Sequence, residues 1–259
     1  MSDSNRPPPT RVSLGMCGLF GLVRSPFADD PGRASDVFVA LGALADERGA
    51  DTAGLALLGA WPGRCEPRTG VVKGRGSFSR IWRPEYLPDL DRAPVVLGHT
   101  RRAAPGSPGR SDDSGRILRR LAGCGGPSEV TGVLESLAGR AALVWVDRDR
   151  PTEVHLARAA LSPLTVAVDT DQNIYWASDP RWFGEAQRHT RVDFVSVVML
   201  REGTYLKVGM ERRPGRRDAP GVLATAAFKP TTAFKPNAGD GDDRVWAGLV
   251  PGPGVLCLA

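Results

Sequence analysis

The cysteines and histidines are the residues whose chemistry could most readily support catalysis or metal binding. The cysteines show no CxxC pair, and no histidine stands at metal-ligand spacing from them. No metal site, disulfide framework or Cys–His pair is therefore predicted. His99 follows an apolar run, which favours a structural, hydrogen-bonded histidine over a catalytic one. Cys17 begins the apolar segment CGLFGLV, and such a lone cysteine is more often a core residue than a nucleophile.

The composition is that of a soluble globular protein, with 41% hydrophobic and 24% charged residues in a chain of 259. No stretch approaches the roughly 20 apolar residues that cross a bilayer, and the N-terminal segment lacks the apolar core of a secretory signal. We therefore expect a cytoplasmic protein without a membrane partner. The net charge of +5 comes from scattered arginines without interleaved aromatic residues. This pattern favours a solvated surface over a nucleic-acid-binding face.

As far as about residue 206, the sequence predicts a series of short strands and helices. These elements would position the residues described above. Apolar residues recur at helical spacing over 33–47, and Gly49 ends that helix. Further helices are predicted over 114–122 and 128–137. Apolar runs bounded by Gly and Pro indicate strands. The predicted strands are 17–23, 52–60, 70–74, 93–100, 140–147, 153–158, 164–168, 173–177, 194–200 and 203–208.

The short spacing of the later strands predicts antiparallel hairpins rather than a parallel sheet. The last pair, 194–200 and 203–208, is joined at Glu202-Gly203.

The sequence divides the chain into three segments. Residues 1–16 are polar and proline-rich, and are either a disordered leader or a misassigned start. Residues 17–209 form the domain. Residues 210–259, with the direct repeat AFKPTTAFKP, are predicted to be a low-complexity tail with little packed structure.

Several segments resemble, in the same order, those of class II glutamine amidotransferases. RGADTAGLAL (48–57) is similar to their Arg-Gly-x-Asp-Ser-Ala-Gly segment, and VVLGHTRRAAPGSP (95–108) to their Gly-His-Thr-Arg segment. Further matches follow as SLAGRAALVWVD (136–147), VHLARAALSPLTVAV (154–168), IYWASDP (174–180) and GTYLKV (203–208). Each piece is weak alone, but their common order over about 190 residues, from Cys17 to Val208, makes the resemblance specific.

The resemblance implies an α+β fold, the four-layer αββα sandwich of N-terminal-nucleophile hydrolases, with two antiparallel sheets between helices. It also implies that Cys17 attacks the side-chain amide of L-glutamine, forms a glutamyl thioester and releases ammonia, with no cofactor. An unperturbed α-amine has a pKa of about 7.7–8.0, so the amine of Cys17 itself could serve as the base. Cys17 must then be the first residue. We expect residues 1–16 to be removed or misassigned, because Met16 directly precedes Cys17.

The same resemblance implies the substrate contacts. Arg101 stands where the family has the arginine that pairs with the glutamine α-carboxylate, a task that suits a planar guanidinium. Thr100 belongs to the same substrate-binding segment. SDDSGRILRRL (111–121) places Asp112 in the position of the aspartate that holds the substrate ammonium. Asp112 could equally be a helix N-cap.

One part of the family pattern is missing. Between Arg101 and Asp112 the family has an additional strand and an Asn-Gly pair that forms the oxyanion hole. No Asn-Gly pair occurs in this chain, so the segment is interpreted as deleted. Loss of one oxyanion donor typically slows such catalysis by about 10²–10³. Glycines of the 106–109 turn, or the pair Gly125-Gly126, are the alternative backbone donors.

Three hypotheses follow. The first is a glutaminase that supplies ammonia to a separate acceptor-activating partner protein. The second is a catalytically inactive relative that binds or scaffolds. The third is another N-terminal-nucleophile amidohydrolase with a different oxyanion arrangement. A lost strand would also leave a sheet edge that needs covering, so self-association or a stable complex is expected.

Overall fold

The structure, a computed structural model, describes residues 17–59, 70–102, 117–137, 141–212, 214, 217–230 and 255–257. Its elements alternate between strands and short helices. In chain order they are β1 (Cys17–Val23), α1 (Pro31–Ala45), β2 (Thr52–Leu58), β3 (Gly70–Arg75), α2 (Phe78–Ile81), a 3₁₀ turn (Pro84–Tyr86), α3 (Leu87–Leu90), β4 (Val95–Arg101), α4 (117–121), α5 (Pro127–Glu135), β5 (Ala142–Asp147), β6 (Arg150–Arg158), β7 (Thr165–Asp169), β8 (Ile174–Ala177), α6 (Arg181–His189), β9 (Phe194–Met199), β10 (Thr204–Glu211), β11 (Ala219–Ala227) and β12 (Val255–Cys257).

The strands form two antiparallel sheets, as predicted. The first sheet has the order β3-β2-β4-β1-β8-β7-β9 and the second the order β11-β10-β6-β5-β12. Side chains alternate across β1, so Leu19 and Val23 enter the core shared with the second sheet, while Phe20 and Leu22 pack toward α1. Helices α1 and α6 cover the first sheet and α5 packs on the second. The predicted α+β sandwich is confirmed.

Helix α1 covers the strands that carry Cys17 and Arg101. It begins where the Asp30 carboxylate accepts a hydrogen bond from Gly32 N at 2.9 Å, with Pro31 in the first turn. Its buried stripe includes Val37, Phe38 and Leu41 at helical spacing. Burial of this stripe fixes α1 to the outer face of the first sheet.

The predicted pairing of the last two strands is wrong. Strand β9 pairs with β7 in the first sheet, whereas β10 pairs with β6 and β11 in the second. The chain crosses between the sheets at Gly203, whose φ is +72° and whose N–H donates to Arg158 O at 2.8 Å. Alternating apolar residues predict a strand but not the sheet that it joins.

The packed domain also extends beyond residue 209, where a tail with little packed structure was expected. Strand β11 pairs with β10 along its length, and Phe228 is buried in the core between the sheets. Small residues dominate β11, so its apolar pattern is weak. Among the described residues, no helix is long and apolar enough to cross a membrane.

Arg24 ties the far end of β1 to its surroundings. The side chain is 2% exposed, and its guanidinium donates to Pro31 O at 2.5 Å, Leu90 O at 2.9 Å and Ser35 Oγ at 3.0 Å. These acceptors lie in α1 and α3. One buried cation therefore satisfies oxygens from both segments.

We predict that Arg24→Met lowers the free energy of unfolding by about 3 kcal/mol, because buried oxygens lose their donors. Arg33→Met is the matched control. Arg33 is exposed and lies 3.9 Å from the Asp30 carboxylate, so its loss should change stability by no more than about 0.5 kcal/mol. Urea unfolding of both variants measures the difference. Equal stabilities would contradict this role of Arg24.

Candidate functional site

Cys17 and Arg101 are brought together by the pairing of β1 with β4. Cys17 is the first residue of β1 and lies directly opposite Arg101, the last residue of β4. Opposite residues on one sheet face have Cβ atoms about 4.5–5.5 Å apart. By strand alternation this is the face of Leu19, which packs in the core between the sheets. The site therefore lies at the end of β1, on the inter-sheet side.

Thr100 points to the other face. It is fully buried, and its hydroxyl donates to Ala45 O at 2.6 Å, at the end of α1. A Cβ atom at Gly18, the residue opposite, would lie 2.8 Å from the Thr100 hydroxyl. The helix end and the Cys17 end of β1 are thus packed tightly together. A contact between Thr100 and substrate stays a prediction.

The turn after α1 packs across the end of β4. Asp51 N donates to Arg101 O at 3.0 Å. A Cβ atom at Gly49 would lie 2.3 Å from the Arg101 carbonyl carbon and 2.4 Å from Arg102 N, so only glycine fits. This close approach gives a physical reason for the Arg-Gly pair in the sequence, because the turn sets the position of the Arg101 main chain.

Arg48 was not singled out by the sequence analysis, although it lies in a segment that carries the resemblance. Its guanidinium is 3.8 Å from the buried carboxylate of Asp179 and 5.9 Å from the ring centre of Trp182. Asp179 also pairs with Arg181 at 2.8 Å. Burial opposes ionisation of Asp179, but the hydrogen bonds and charges of Arg181 and Arg48 outweigh it and lower its pKa.

Ser178 is a second residue that the sequence analysis did not assign to the site. Its hydroxyl accepts a hydrogen bond from Leu19 N at 2.8 Å, and its own N–H donates to Leu19 O at 2.8 Å. Both bonds are made two residues from Cys17. They continue the ladder between β1 and β8 and so hold the beginning of β1 in place. No sequence signal identifies Ser178; its role is visible only from its contacts in the folded chain.

The Cys17 thiol is neutral at neutral pH. Burial raises its pKa to about 11, although the charges of Arg101 and Arg48 oppose the shift. A thiolate would therefore form only if a nearby base took the proton. The two arginines mark the neighbourhood of Cys17 as electropositive, which suits a substrate that carries a carboxylate.

His99 lies beside this site, two residues before Arg101 on the same face of β4. It packs over Gly54 of β2, where a Cβ atom would be 2.9 Å from the ring. Among the described residues, no hydrogen-bond partner reaches its Nδ1 atom. His99 is thus buried in the sheet, as expected of a structural histidine, but its Nδ1 atom does not make the hydrogen bond that such a histidine usually has. Burial, aided by the charges of Lys73 and Arg101, lowers the pKa of His99 to about 4.

The other candidates for the site are Asp112, the 106–109 segment and the pair Gly125-Gly126. Asp112 and the 106–109 turn fall outside the described residues. Gly125 N already donates to the Glu129 carboxylate at 2.8 Å, so it is a poor oxyanion donor. Asn173 is the only asparagine in the described part of the chain, and its amide bonds to Ser25 and Asp169. It lies at the far end of β1, about 20 Å from Cys17.

Comparison with known proteins supports the fold. No protein-family model matches, and no curated protein matches. Among solved structures, the chain is similar to a glutamine PRPP amidotransferase described as the allosteric regulatory enzyme of purine biosynthesis. The TM-score is 0.54 at 16% sequence identity. The match covers 80% of this chain but only 49% of that one, so the chain spans about half of that enzyme. This likeness shows the fold alone, an α+β sandwich of two antiparallel sheets consistent with that of N-terminal-nucleophile hydrolases.

Across the described residues, no group of three or more His, Cys, Asp and Glu side chains is arranged to hold a metal ion. The charges that act to lower the pKa of Cys17 are those of Arg101 and Arg48. The arrangement is that of a cysteine beside two arginines, whose positive charges suit an anion.

We predict an acid-dependent loss of stability from His99. Because folding lowers its pKa from 6.5 to about 4, its stabilising contribution is complete above pH 6.5. It falls as pH drops through 6.5 and is lost below about pH 4. The full loss is about 3 kcal/mol.

His99→Gln should remove this part of the pH dependence, whereas His189→Gln, at an exposed position in the last turn of α6, should keep it. Urea unfolding of both variants at pH 7 and pH 4 gives the comparison. Parallel stability curves for wild type and His99→Gln would contradict the assignment of a neutral, buried ring.

Proposed function

We propose that the chain is a glutamine amidotransferase-type glutaminase that hydrolyses the side-chain amide of L-glutamine through a Cys17 thioester. The supporting observation is the pairing of Cys17 with Arg101 on the inter-sheet face of an N-terminal-nucleophile fold. A glutamine molecule is long enough for its α-carboxylate to meet Arg101 while its side-chain amide meets Cys17. Asp112 completes this proposal as the group that binds the α-ammonium.

The chemistry uses the free α-amine that Cys17 has once it is the first residue. The amine takes the thiol proton as Sγ attacks the amide carbon. The carbon–nitrogen bond then breaks, and the same proton leaves with the nitrogen as ammonia. Water hydrolyses the thioester to glutamate and restores the thiol. The raised pKa of Cys17 makes this base necessary, since little thiolate exists without it.

The oxyanion of each tetrahedral intermediate needs donors that replace the missing Asn-Gly pair. Because Gly125 is engaged with Glu129, the turn at 106–109 is the better of the two glycine-rich candidates. It follows Arg101 closely in the sequence. Backbone N–H groups there would act in place of the asparagine amide.

The released ammonia is proposed to pass to a separate acceptor enzyme. The proposal includes a partner protein that activates the acceptor. Its acceptor chemistry is not encoded in the glutaminase site.

The second candidate function is an inactive binding or scaffold module. The absence of an Asn-Gly pair favours it, together with the raised pKa of the buried thiol. In that case Arg101 and Arg48 would still attract a carboxylate, but no thioester would form. A different N-terminal-nucleophile amidohydrolase is the third option, with a substrate other than glutamine.

The test is covalent labelling of purified full-length protein with a glutamine-mimicking alkylating agent, followed by intact-mass spectrometry. We expect a chain that begins at Cys17 to take one adduct, glutamine to protect it, and Cys17→Ala to abolish it. Arg101→Met should weaken glutamine protection about 30-fold or more, because a charge-assisted carboxylate contact is lost.

Arg102→Met is the control, because Arg102 is the next arginine in the chain and is exposed. It should leave protection within about threefold of wild type. No adduct on a chain shown to begin at Cys17 would favour the inactive module. An adduct that glutamine does not protect would favour the other amidohydrolase.

A further inference from the structure

Strand β9 forms an exposed, apolar edge of the first sheet. It ends the sheet order and, among the described strands, pairs only with β7. Val195 is 65%, Val198 55%, Met199 48% and Val197 44% exposed. These side chains project from both faces, since neighbours along a strand alternate. Natural edge strands are usually blunted by charges or covered, so an edge of this composition indicates a protein contact.

The outer backbone of β9 is arranged to accept another strand. Leu200 N donates inward, to Leu164 O, at 2.9 Å. Met199 and Val197 pair with Thr165 and Ala167 in the same register. Because inward and outward groups alternate in an antiparallel ladder, the N–H and C=O of Val197 and Met199 point away from β7. The edge therefore offers a row of main-chain donors and acceptors.

The charges around β9 are complementary to those of a second, antiparallel copy. No residue from Phe194 to Met199 is charged. Asp193 and Arg201 lie four residues before and after Val197, and both are exposed. In a twofold pairing centred on Val197, Asp193 of each copy lies opposite Arg201 of the other. We propose that the chain forms a homodimer in which the two β9 strands join the first sheets into one continuous sheet.

The other outer strand of the same sheet is less suited to self-pairing. Strand β3 carries Lys73 and Arg75, and self-pairing would bring these positive charges of two copies close together. In the second sheet, the edge strand β11 contains Pro220, which lacks an N–H donor. Of the edge strands β3, β9 and β11, β9 is therefore best suited to the dimer contact.

The first test measures the mass of the full-length protein in solution by light scattering or sedimentation. We expect a dimer, and we expect Val197→Lys to raise its dissociation constant at least about 100-fold, because two ammonium groups would meet on the twofold axis. Val222→Lys is the matched control, at another exposed valine of an edge strand. It should leave the dimer unchanged.

The second test exchanges charges and separates this geometry from other dimers. Asp193→Arg and Arg201→Asp should each weaken the dimer about tenfold, since each places like charges opposite one another twice per dimer. The variant with both changes should recover to within about threefold of wild type. A monomeric wild-type chain, a dimer insensitive to Val197→Lys, or a double variant that does not recover would overturn the proposal. A monomeric wild-type chain would indicate that the β9 edge binds a different protein.

Discussion

The register between β1 and β4 is the constraint on which the candidate site depends. A slip of one residue would turn every β1 side chain to the opposite face, moving Cys17 away from Arg101 and Leu19 out of the core between the sheets. Three contacts hold the register at this end. Thr100 bonds to the end of α1, Gly49 packs on the Arg101 main chain, and Ser178 bonds to Leu19. The apolar core and the polar site are therefore specified together.

The electrostatics of Cys17 follow from the same packing. A thiol at the end of a buried strand loses solvation, and this raises its pKa more than Arg101 and Arg48 can lower it. A catalytic thiol of this kind needs a base within reach, and the sequence offers no Cys–His pair. An α-amine on the same residue meets that need without another side chain. In the proposed mechanism, chemistry at Cys17 therefore requires that no peptide bond precede it.

The sequence predicted much of the fold because most strands are apolar runs between Gly and Pro. It also predicted that Cys17 and Arg101 belong together, from the order of the segments that carry the resemblance. It failed where the outcome depended on contacts distant in the chain. Strand β9 has the same apolar pattern whichever sheet it joins, and β11 is too rich in small residues to stand out. Arg48 and Ser178 acquire their roles only through Asp179 and Leu19 in the folded chain.

The most direct measurement is intact-mass spectrometry of protein mixed with glutamine and quenched in acid within the first turnovers. We predict that a chain beginning at Cys17 gains the mass of one glutamyl group, that hydroxylamine removes it, and that glutamate and ammonia appear in equal amounts. The same chain with residues retained before Cys17 should gain nothing. Absence of the glutamyl mass and of ammonia, in a chain verified to begin at Cys17, would contradict the assignment of Cys17 as a nucleophile toward glutamine.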